Sequence, residues 1–201
     1  WKGGDPMTPP ALKAKKFEEL ILAGAARCPL MTLSRYGVQT MVGTDGKLLA
    51  VPSLPDFEGA VAPDGRQFII EAKVCAQSAF PLTPDKIKPR QVRHMLERSR
   101  FGVACFVAIH FAERIGKTFH EPGETLALPV SDRLGFWQEF LDAAAEAKRT
   151  KAPFKSPGSL SRDYAARIGR RVEWTCPKGS RKHLPDLAAL LGIEAGQPSL
   201  F

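Results

Sequence analysis

The stretch that decides the fold is PDFEGAVAPDGRQFIIEAK, residues 55–73. It places one acid at Asp56, a second acid at Glu71 fifteen positions later, and Lys73 two residues after that. In a β-strand, residues two apart point to the same face of the sheet. Glu71 and Lys73 are therefore predicted to project together, while the apolar residues that alternate with them enter the opposite, buried side.

This pattern predicts a site for a divalent cation. If the strands that carry Asp56 and Glu71 are neighbours, the two carboxylates can share one Mg²⁺ ion, which prefers oxygen ligands and keeps several waters. A metal-bound water becomes a nucleophile because its pKa falls, and Lys73 would orient that water or neutralise charge on a phosphate. A Glu-x-Lys pair alone is more often a surface ion pair. The upstream Pro55-Asp56, the intervening turn and the apolar alternation favour a metal-dependent nuclease.

Composition limits the class of protein and its partner. The chain has 201 residues, of which 44% are hydrophobic and 25% charged, which suits one soluble globular domain with a tail. Its formal net charge of +8 favours a polyanionic partner such as nucleic acid, although a generic basic surface is an equally good explanation of charge alone. The partner therefore has to be argued from the motifs.

The four cysteines form no C-x-x-C pair and no zinc-type cluster, which is typical of a reducing compartment. The sequence contains no apolar run of membrane-spanning length and no signal peptide pattern. We therefore expect a cytoplasmic protein, in a bacterial cytoplasm or nucleoid and of cellular or phage origin. Residues 1–6 read as a remnant of an expression vector, with the natural start at Met7.

Periodicity predicts an α/β core with a central sheet. Predicted helices cover residues 12–26, 88–98 and 136–148, with shorter helical patterns at 160–168 and 184–191. Predicted strands cover 38–42 and 48–51 as a hairpin, a segment at 59–62, then 67–73 and 103–111. Residues 150–161 read as a loop, and the segment from 192 onward reads as a flexible tail.

Several of these segments resemble the PD-(D/E)xK nuclease superfamily and, more narrowly, the RecU-type Holliday-junction resolvases. The resemblance is carried by FEE at 17–19, PDFEG at 55–59, IEAK at 70–73, SAFPL at 78–82, QVRHM at 91–95 and FVAIHF at 106–111, with looser matches at 136–137 and 184–187. It implies a restriction-endonuclease-like core, with a central mixed β-sheet flanked by helices. The nuclease domain would span residues 7–192, followed by a tail at 193–201.

The resemblance also implies roles for individual residues. The metal ligands would be Asp56, Glu71, the Ala72 carbonyl and Glu18, with Glu18 preferred to Glu19. Lys73 would be the catalytic lysine, and Gln91 would act in the site from the next helix. Mg²⁺ is the expected cofactor, and Mn²⁺ would substitute for it. Among the other candidates, Glu58 is expected to be structural or exposed, His94 to contact phosphate or pack, and His110 to be an ordinary strand residue.

Basic residues cluster near the Gln91 helix and predict contacts with DNA phosphates. The group that we expect to bind DNA is Lys86, Lys88, Arg90 and Arg93. Such contacts position DNA without reading its sequence. Family members usually carry a long stalk before the aspartate motif, whereas here only residues 36–53 are available, which weakens the case for strict four-way-junction specificity.

The last five residues, QPSLF at 197–201, resemble the bacterial sliding-clamp-binding pentapeptide. Leu200 and Phe201 would fill an apolar pocket of the clamp while Gln197 hydrogen-bonds at its rim. The alternative is a tail whose Leu-Phe packs on its own domain.

The sequence thus predicts a homodimeric, Mg²⁺-dependent endonuclease that nicks Holliday junctions or other branched DNA, with two active sites supplied by two-fold symmetry. Two alternatives remain open. One is a clamp-recruited repair or replication nuclease acting on flaps, forks or mismatches. The other is a DNA-binding scaffold that no longer cuts.

Overall fold

The computed structural model describes residues 13–36, 40–42, 48–50, 54–176 and 183–193. The described helices are α1 (Ala14–Ala25), α2 (Pro89–Arg100), α3 (Phe136–Thr150), α4 (Arg162–Ile168) and α5 (Leu187–Leu190). The described strands are β1 (Met31–Arg35), β2 (Thr40–Val42), β3 (Leu48–Ala50), β4 (Phe57–Val61), β5 (Arg66–Cys75), β6 (Ala79–Pro81), β7 (Ala104–Phe111), β8 (Arg114–Ile115), β9 (His120–Glu121), β10 (Glu124–Pro129), β11 (Ser159–Ser161), β12 (Arg170–Val172), β13 (Trp174–Thr175) and β14 (Leu184–Pro185).

A six-stranded mixed sheet in the order β1-β4-β5-β7-β10-β12 forms the centre of the fold. Strands β5 and β7 run parallel, and the other four pairs in this sheet are antiparallel. The parallel pair lies in the middle of the sheet, where strands are covered on both faces, and this explains the nearly continuous apolar sequence of β7. The predicted fold class, an α/β core with a central mixed sheet flanked by helices, is confirmed.

Each face of the sheet has its own apolar core. Helices α1 and α5 cover one face through Phe17, Ile21 and Leu187, which pack with Ile70 and Ala72 of β5. Helices α2, α3 and α4 cover the other face, where Val92, Trp137 and Ala165 pack with Ile69 of β5. Alternate residues of β5 therefore enter different cores, as the period-2 pattern of the sequence predicts.

The β4–β5 connection is a tight turn that sets the register of the site. Gly65 has a φ of +67°, a left-handed conformation that glycine adopts without steric penalty. The Arg66 N–H donates to Asp64 Oδ1 at 3.2 Å, which closes the turn locally. This geometry fixes which residue of β4 faces which residue of β5.

Some sequence predictions were wrong in detail. The helical pattern at 160–168 begins as strand β11, and the helix starts only at Arg162. The pattern at 184–191 splits into strand β14 and the short helix α5, because the Asp186 side chain caps the helix by accepting from the Ala189 N–H. The predicted hairpin is present as the antiparallel β2–β3 pair, while its turn lies outside the described residues. In the described part of the chain, none of the helices has the length and apolarity that crossing a membrane requires.

Candidate metal-dependent active site

The register of β4 and β5 brings the two predicted acids together. Their last paired residues are Phe57 and Ile70, so one step further along the ladder Asp56 stands opposite Glu71. The Asp56 N–H donates to Glu71 Oε2 at 3.1 Å, and the Ala72 N–H donates to Asp56 Oδ2 at 2.8 Å. The Glu71 carboxylate thus accepts from the backbone of Asp56 itself, and the Asp56 carboxylate accepts from the backbone of the residue after Glu71. The fifteen-residue spacing in the sequence is the length of chain that this hairpin needs.

Lys73 projects from the same face of β5 as Glu71. Its Nζ forms an ion pair with Glu71 Oε1. The Glu71 side chain is 0% exposed and that of Lys73 is 21% exposed, so the lysine lies at the opening of the site and the glutamate at its base.

Gln91 of α2 fixes the orientation of the Glu71 carboxylate. Its Nε2 donates to Glu71 Oε2 at 3.0 Å, and its Oε1 accepts from the Lys88 N–H at 3.1 Å. The side chain is buried, so both polar ends of the amide are satisfied inside the protein. Helix α2 starts at Pro89, which places Gln91 in its first turn, and the sequence predicts this start from Lys88-Pro89. Gln91 therefore belongs to the site, and its observed contacts hold Glu71 in place.

Glu18 of α1 and Arg35 of β1 form a second, more exposed layer beside Asp56. The two side chains make an ion pair, and both act on Asp56: Glu18 raises the pKa of the aspartate and Arg35 lowers it. The Arg35 guanidinium lies over the Phe57 ring, 5.5 Å from the ring centre, and this contact helps to hold the arginine in place. The structure thus brings Glu18 near the site, but with its carboxylate bound to arginine.

Sequence reasoning missed Arg35. It stands opposite Phe57 across the β1–β4 ladder, so its place beside the site depends on a long-range register. Strand β1 is mostly exposed and shows only weak alternation, and no local signal marks its last residue as part of a site.

Burial and like charge together perturb both carboxyl groups. Burial raises the pKa of Glu71 to about 7; Lys73 opposes the rise and the neighbouring Asp56 adds to it. Burial also raises the pKa of Asp56, and Lys73 and the Ala72 N–H oppose this. Two acids held together in a low-dielectric site disfavour each other's ionised form, and a bound cation would remove that penalty.

The oxygen atoms at the site fit a hard cation. In a strand, the N–H and C=O of one residue point to the same side. Because the Ala72 N–H points toward Asp56, the Ala72 carbonyl also faces the space beyond the end of β4. Two carboxylates and one carbonyl converge there, a donor set that suits Mg²⁺ or Mn²⁺ and does not suit a thiophilic metal. Across the described ranges, no group of three or more His, Cys, Asp or Glu side chains is arranged to hold a metal, so a third carboxylate ligand from Glu18 would require it to leave Arg35.

The residues predicted to bind DNA surround the start of α2. Lys86, Lys88, Arg90 and Arg93 are all exposed. Lys88 Nζ donates to the Pro84 carbonyl at 2.9 Å, and Lys86 lies 3.3 Å from Asp85. These contacts are weak surface interactions, so the four cations stay accessible to phosphate within one helical turn or so of Gln91.

His94 and His110 have different surroundings. His94 lies 3.2 Å from the Tyr36 hydroxyl and packs edge-on against that ring, which ties α2 to the end of β1. Burial and a hydrogen bond with Glu58, itself exposed as expected, raise the pKa of Tyr36 to about 12. His110 is buried in β7 and bonds Thr125, on the face of the sheet away from Glu71. His110 is therefore a structural strand residue with a local partner.

The predicted clamp-binding residues, Gln197, Leu200 and Phe201, lie outside the described residues, and their role stays a prediction.

Comparison with known proteins gives a weak structural likeness. No family model matches the chain, and no curated protein matches it. Among solved structures, the chain is similar to Hjc of Archaeoglobus fulgidus, a Holliday junction resolvase from an archaeal hyperthermophile, with a TM-score of 0.42 and 14% sequence identity. The match covers 78% of this chain and 94% of that protein. Similarity at this level does not identify an activity.

Proposed function

We propose that this protein is a Mg²⁺-dependent endonuclease that cuts branched DNA, with Asp56, Glu71 and Lys73 as its catalytic residues. The observation that carries the proposal is the shared site of these three residues, in which the fully buried Glu71 carboxylate accepts from the Asp56 backbone N–H and forms an ion pair with Lys73 Nζ. A buried and a half-buried acid beside one lysine cost stability, and perturbed carboxyl groups of this kind concentrate in active sites.

The roles follow from position. Asp56, Glu71 and the Ala72 carbonyl would hold the metal ion, which when bound supplies a Lewis acid and lowers the pKa of water. Lys73 Nζ, at the opening, is placed to orient the attacking water or to neutralise charge on the scissile phosphate. Gln91 keeps the Glu71 carboxylate aimed while DNA enters. Arg35 offers a guanidinium beside Asp56 for a flanking phosphate.

The charge of the protein and its resemblance to RecU-type resolvases favour branched DNA as the substrate. The net charge of +8 and the exposed cations around α2 favour a nucleic-acid backbone as the ligand. Resolution of a four-way junction requires two symmetric cuts, so we propose a homodimer that nicks Holliday junctions and leaves 5′-phosphate and 3′-hydroxyl ends.

A panel of labelled substrates tests this function. Four-way junctions, flaps, forks, mismatched duplex and plain duplex are incubated with the protein in Mg²⁺, in Mn²⁺ and in EDTA. We expect paired nicks in the four-way junction that require metal, and a dimeric mass by light scattering. A preference for flaps or forks would show that these, and not the four-way junction, are the substrate. Binding without cleavage in either metal would show that the protein is a non-cutting scaffold.

Lys73→Ala and Asp56→Asn are the matched variants for the panel. Both should bind the junction as the parent does but fail to cut it. Normal turnover in either variant would refute the proposed catalytic residues, whichever substrate the parent prefers.

A further inference from the structure

The β8–β9 hairpin carries two large apolar side chains in water. Ile115 is 75% exposed and Phe119 is 45% exposed, and among the described residues the only other exposed large hydrophobic side chain is Phe101, at 84%. We call residues 114–121 the hairpin tip. Two exposed apolar side chains on one short hairpin make it a candidate binding surface.

The Phe119 ring is held in a fixed place by its own turn. The Gly116 N–H donates to the Phe119 carbonyl at 2.9 Å, which closes the turn, and the Arg114 guanidinium lies 5.3 Å from the centre of the ring. A Cβ atom at Gly116 would stand 2.2 Å from Phe119 Cε1, so the ring lies directly across the glycine. Gly116 and Arg114 therefore hold the half-exposed ring in one position before any ligand binds, which lowers the entropy cost of binding.

A nearly buried arginine anchors the hairpin to the domain. The Arg162 side chain is 11% exposed, and its two Nη atoms donate to the carbonyls of Ala112 at 2.8 Å and Pro122 at 2.9 Å, one on each leg of the hairpin. The same guanidinium lies 5.4 Å from the centre of the Phe111 ring. The tip is therefore fixed relative to the central sheet.

The hairpin leaves the sheet at the end where the proposed active site lies. Strands β5 and β7 are parallel and finish together at Cys75 and Phe111, and the Ala112 N–H donates to the Cys75 carbonyl at 2.8 Å. Cys75 stands four positions after Glu71 on β5, or roughly 13 Å away at ~3.3 Å per residue. A groove of about 400 Å³ lies between Arg114 and residues 76–79, bordered by Pro81 and Ser159. The groove thus begins just past the end of β5 and borders the hairpin at Arg114.

One exposed cation of the hairpin has no ion-pair partner. Glu121 pairs with Arg114 at 3.0 Å and Glu124 with Arg171 at 2.9 Å, while Glu113 lies 2.7 Å from His120 Nε2. Lys117, at the turn, has no ion pair with any residue that the structure describes. An exposed aromatic ring two residues from an unpaired ammonium matches the two parts of a nucleotide, its base and its phosphate.

We propose that the hairpin tip binds an unstacked nucleobase at the branch point of DNA, with Phe119 stacked on the base and Lys117 on the adjoining phosphate. This inference rests on the proposed function, because it assumes that branched DNA occupies the site. Stacking on aromatic side chains is tolerant of base identity, so the tip would select an open branch rather than a sequence.

Fluorescence of a four-way junction that carries 2-aminopurine at the branch point, measured in EDTA to prevent cleavage, tests the proposal. The parent protein should change the emission on binding. Phe119→Ala should remove that change and weaken junction binding by about tenfold, the effect of losing one base–aromatic stack, while leaving binding to plain duplex unchanged. Phe119→Trp should restore both, and Phe119→Leu should not.

Phe101→Ala is the matched control, because Phe101 is more exposed and lies just past the end of α2, away from the hairpin. Gly116→Ala is a second variant that displaces the Phe119 ring without removing it, and it should behave like Phe119→Ala. If Phe119→Ala and Phe101→Ala bind the junction equally and give the same emission, the proposal is wrong.

A change of molar mass in Phe119→Ala, measured by light scattering, would assign the tip to a protein interface and also overturn the proposal. A parent protein that cuts junctions while Phe119 variants match it would refute only the role of the tip. A parent protein that binds no branched DNA would refute this inference together with the proposed function.

Discussion

Each face of the central sheet holds one buried polar cluster, and the two clusters differ in kind. On the α2 face, Glu71 is joined to Asp56, Lys73 and Gln91. On the α1 face, the His110 ring bonds Thr125 Oγ1 at 3.0 Å, and the same hydroxyl accepts from Trp174 Nε1 at 3.0 Å. We call these the acidic cluster and the histidine cluster.

Burial shifts the pKa of a titratable group in both clusters, downward for His110 and upward for Glu71. Burial lowers the pKa of His110 to about 4, with Arg162 adding to the effect, so the ring stays neutral at neutral pH. Phe17 and Trp174 pack against it with ring centres 5.6 and 5.7 Å away. In the acidic cluster burial raises the pKa of Glu71 to about 7, and a second acid raises it further. The histidine cluster carries no charge, although His110 Nε2 has no hydrogen-bond partner, whereas the acidic cluster holds two like-charged acids beside one lysine. This difference in charge separates a structural polar group from a candidate site that a cation would stabilise.

Removing one acid should have the largest effect and should separate activity from stability. Asp56→Asn keeps an oxygen to accept from the Ala72 N–H but loses the charge that a metal needs. We expect single-turnover cleavage to fall by about 10³-fold or more, in the range for loss of a catalytic charge. The free energy of unfolding in urea should stay equal or rise, because a like charge beside Glu71 is gone. If Asp56→Asn were destabilised and still cut DNA, the acidic cluster would be structural like the histidine cluster.

The histidine cluster should give the complementary result in His110→Asn, which keeps a polar group beside Thr125. We expect this variant to cut at nearly the parental rate and to unfold more readily, since it leaves a cavity among Phe17 and Trp174. A loss of cleavage at full stability would place His110 in the mechanism and contradict its structural role.

Stability of the parent should also fall with acid through His110. Its ordinary pKa of 6.5 drops to about 4 in the folded protein, so the unfolded chain binds the proton first as the pH falls. Stability is therefore full above about pH 6.5 and is lost as the pH falls toward 4, by roughly 3 kcal/mol from this group. Urea unfolding at several pH values measures the loss, and the His110→Asn variant should show a shallower dependence across the same window. Equal slopes in the two proteins would exclude His110 as the cause.

Gln91 offers a smaller test of the acidic cluster. Gln91→Leu preserves volume but removes the donor to Glu71, so we expect kcat to fall by about 10–100-fold, as for other residues that orient a metal ligand. The affinity for uncut junction should be unchanged, because the Gln91 side chain is buried and therefore out of reach of a DNA backbone at the surface. An equal loss of affinity and rate would show instead that Gln91 contacts DNA.

The exposed cations around α2 should give the smallest effect. Arg93→Gln should reduce the slope of log affinity against log salt by about one and leave kcat at saturating DNA unchanged, as expected for one lost phosphate contact. Arg66→Gln is the control, since Arg66 is an exposed cation at the opposite end of β5. Identical slopes for the two variants would mean that α2 is not where DNA lies.

The sequence was sufficient for the acidic cluster because its signal is local. Alternation in β5 predicts that Glu71 and Lys73 share a face, and Lys88-Pro89 predicts the helix start that presents Gln91. Strands β1, β10 and β12 were not predicted. Strand β12 has three residues, two of them exposed arginines, and β10 is a short apolar run that ends at a proline. Their pairing is decided by neighbours distant in the chain.

The same limit explains the residues that sequence reasoning missed. Arg35 reaches Asp56 only because β1 pairs with β4, and Trp174 reaches His110 through Thr125 on β10. The hairpin tip shows no strand alternation in its sequence, and its rigidity comes from Arg162, more than forty residues further on. Contacts of this range require the fold itself.

The central claim is that Asp56 and Glu71 hold one metal ion beside Lys73. Crystals grown with Mn²⁺ and measured at its absorption edge test it most directly, because the anomalous signal locates the ion without reference to activity. We predict one peak within coordination distance of an oxygen from each carboxylate, and its loss in crystals of Asp56→Asn. Fully occupied Mn²⁺ elsewhere on the chain, with these two carboxylates bonded only to protein, would contradict the account.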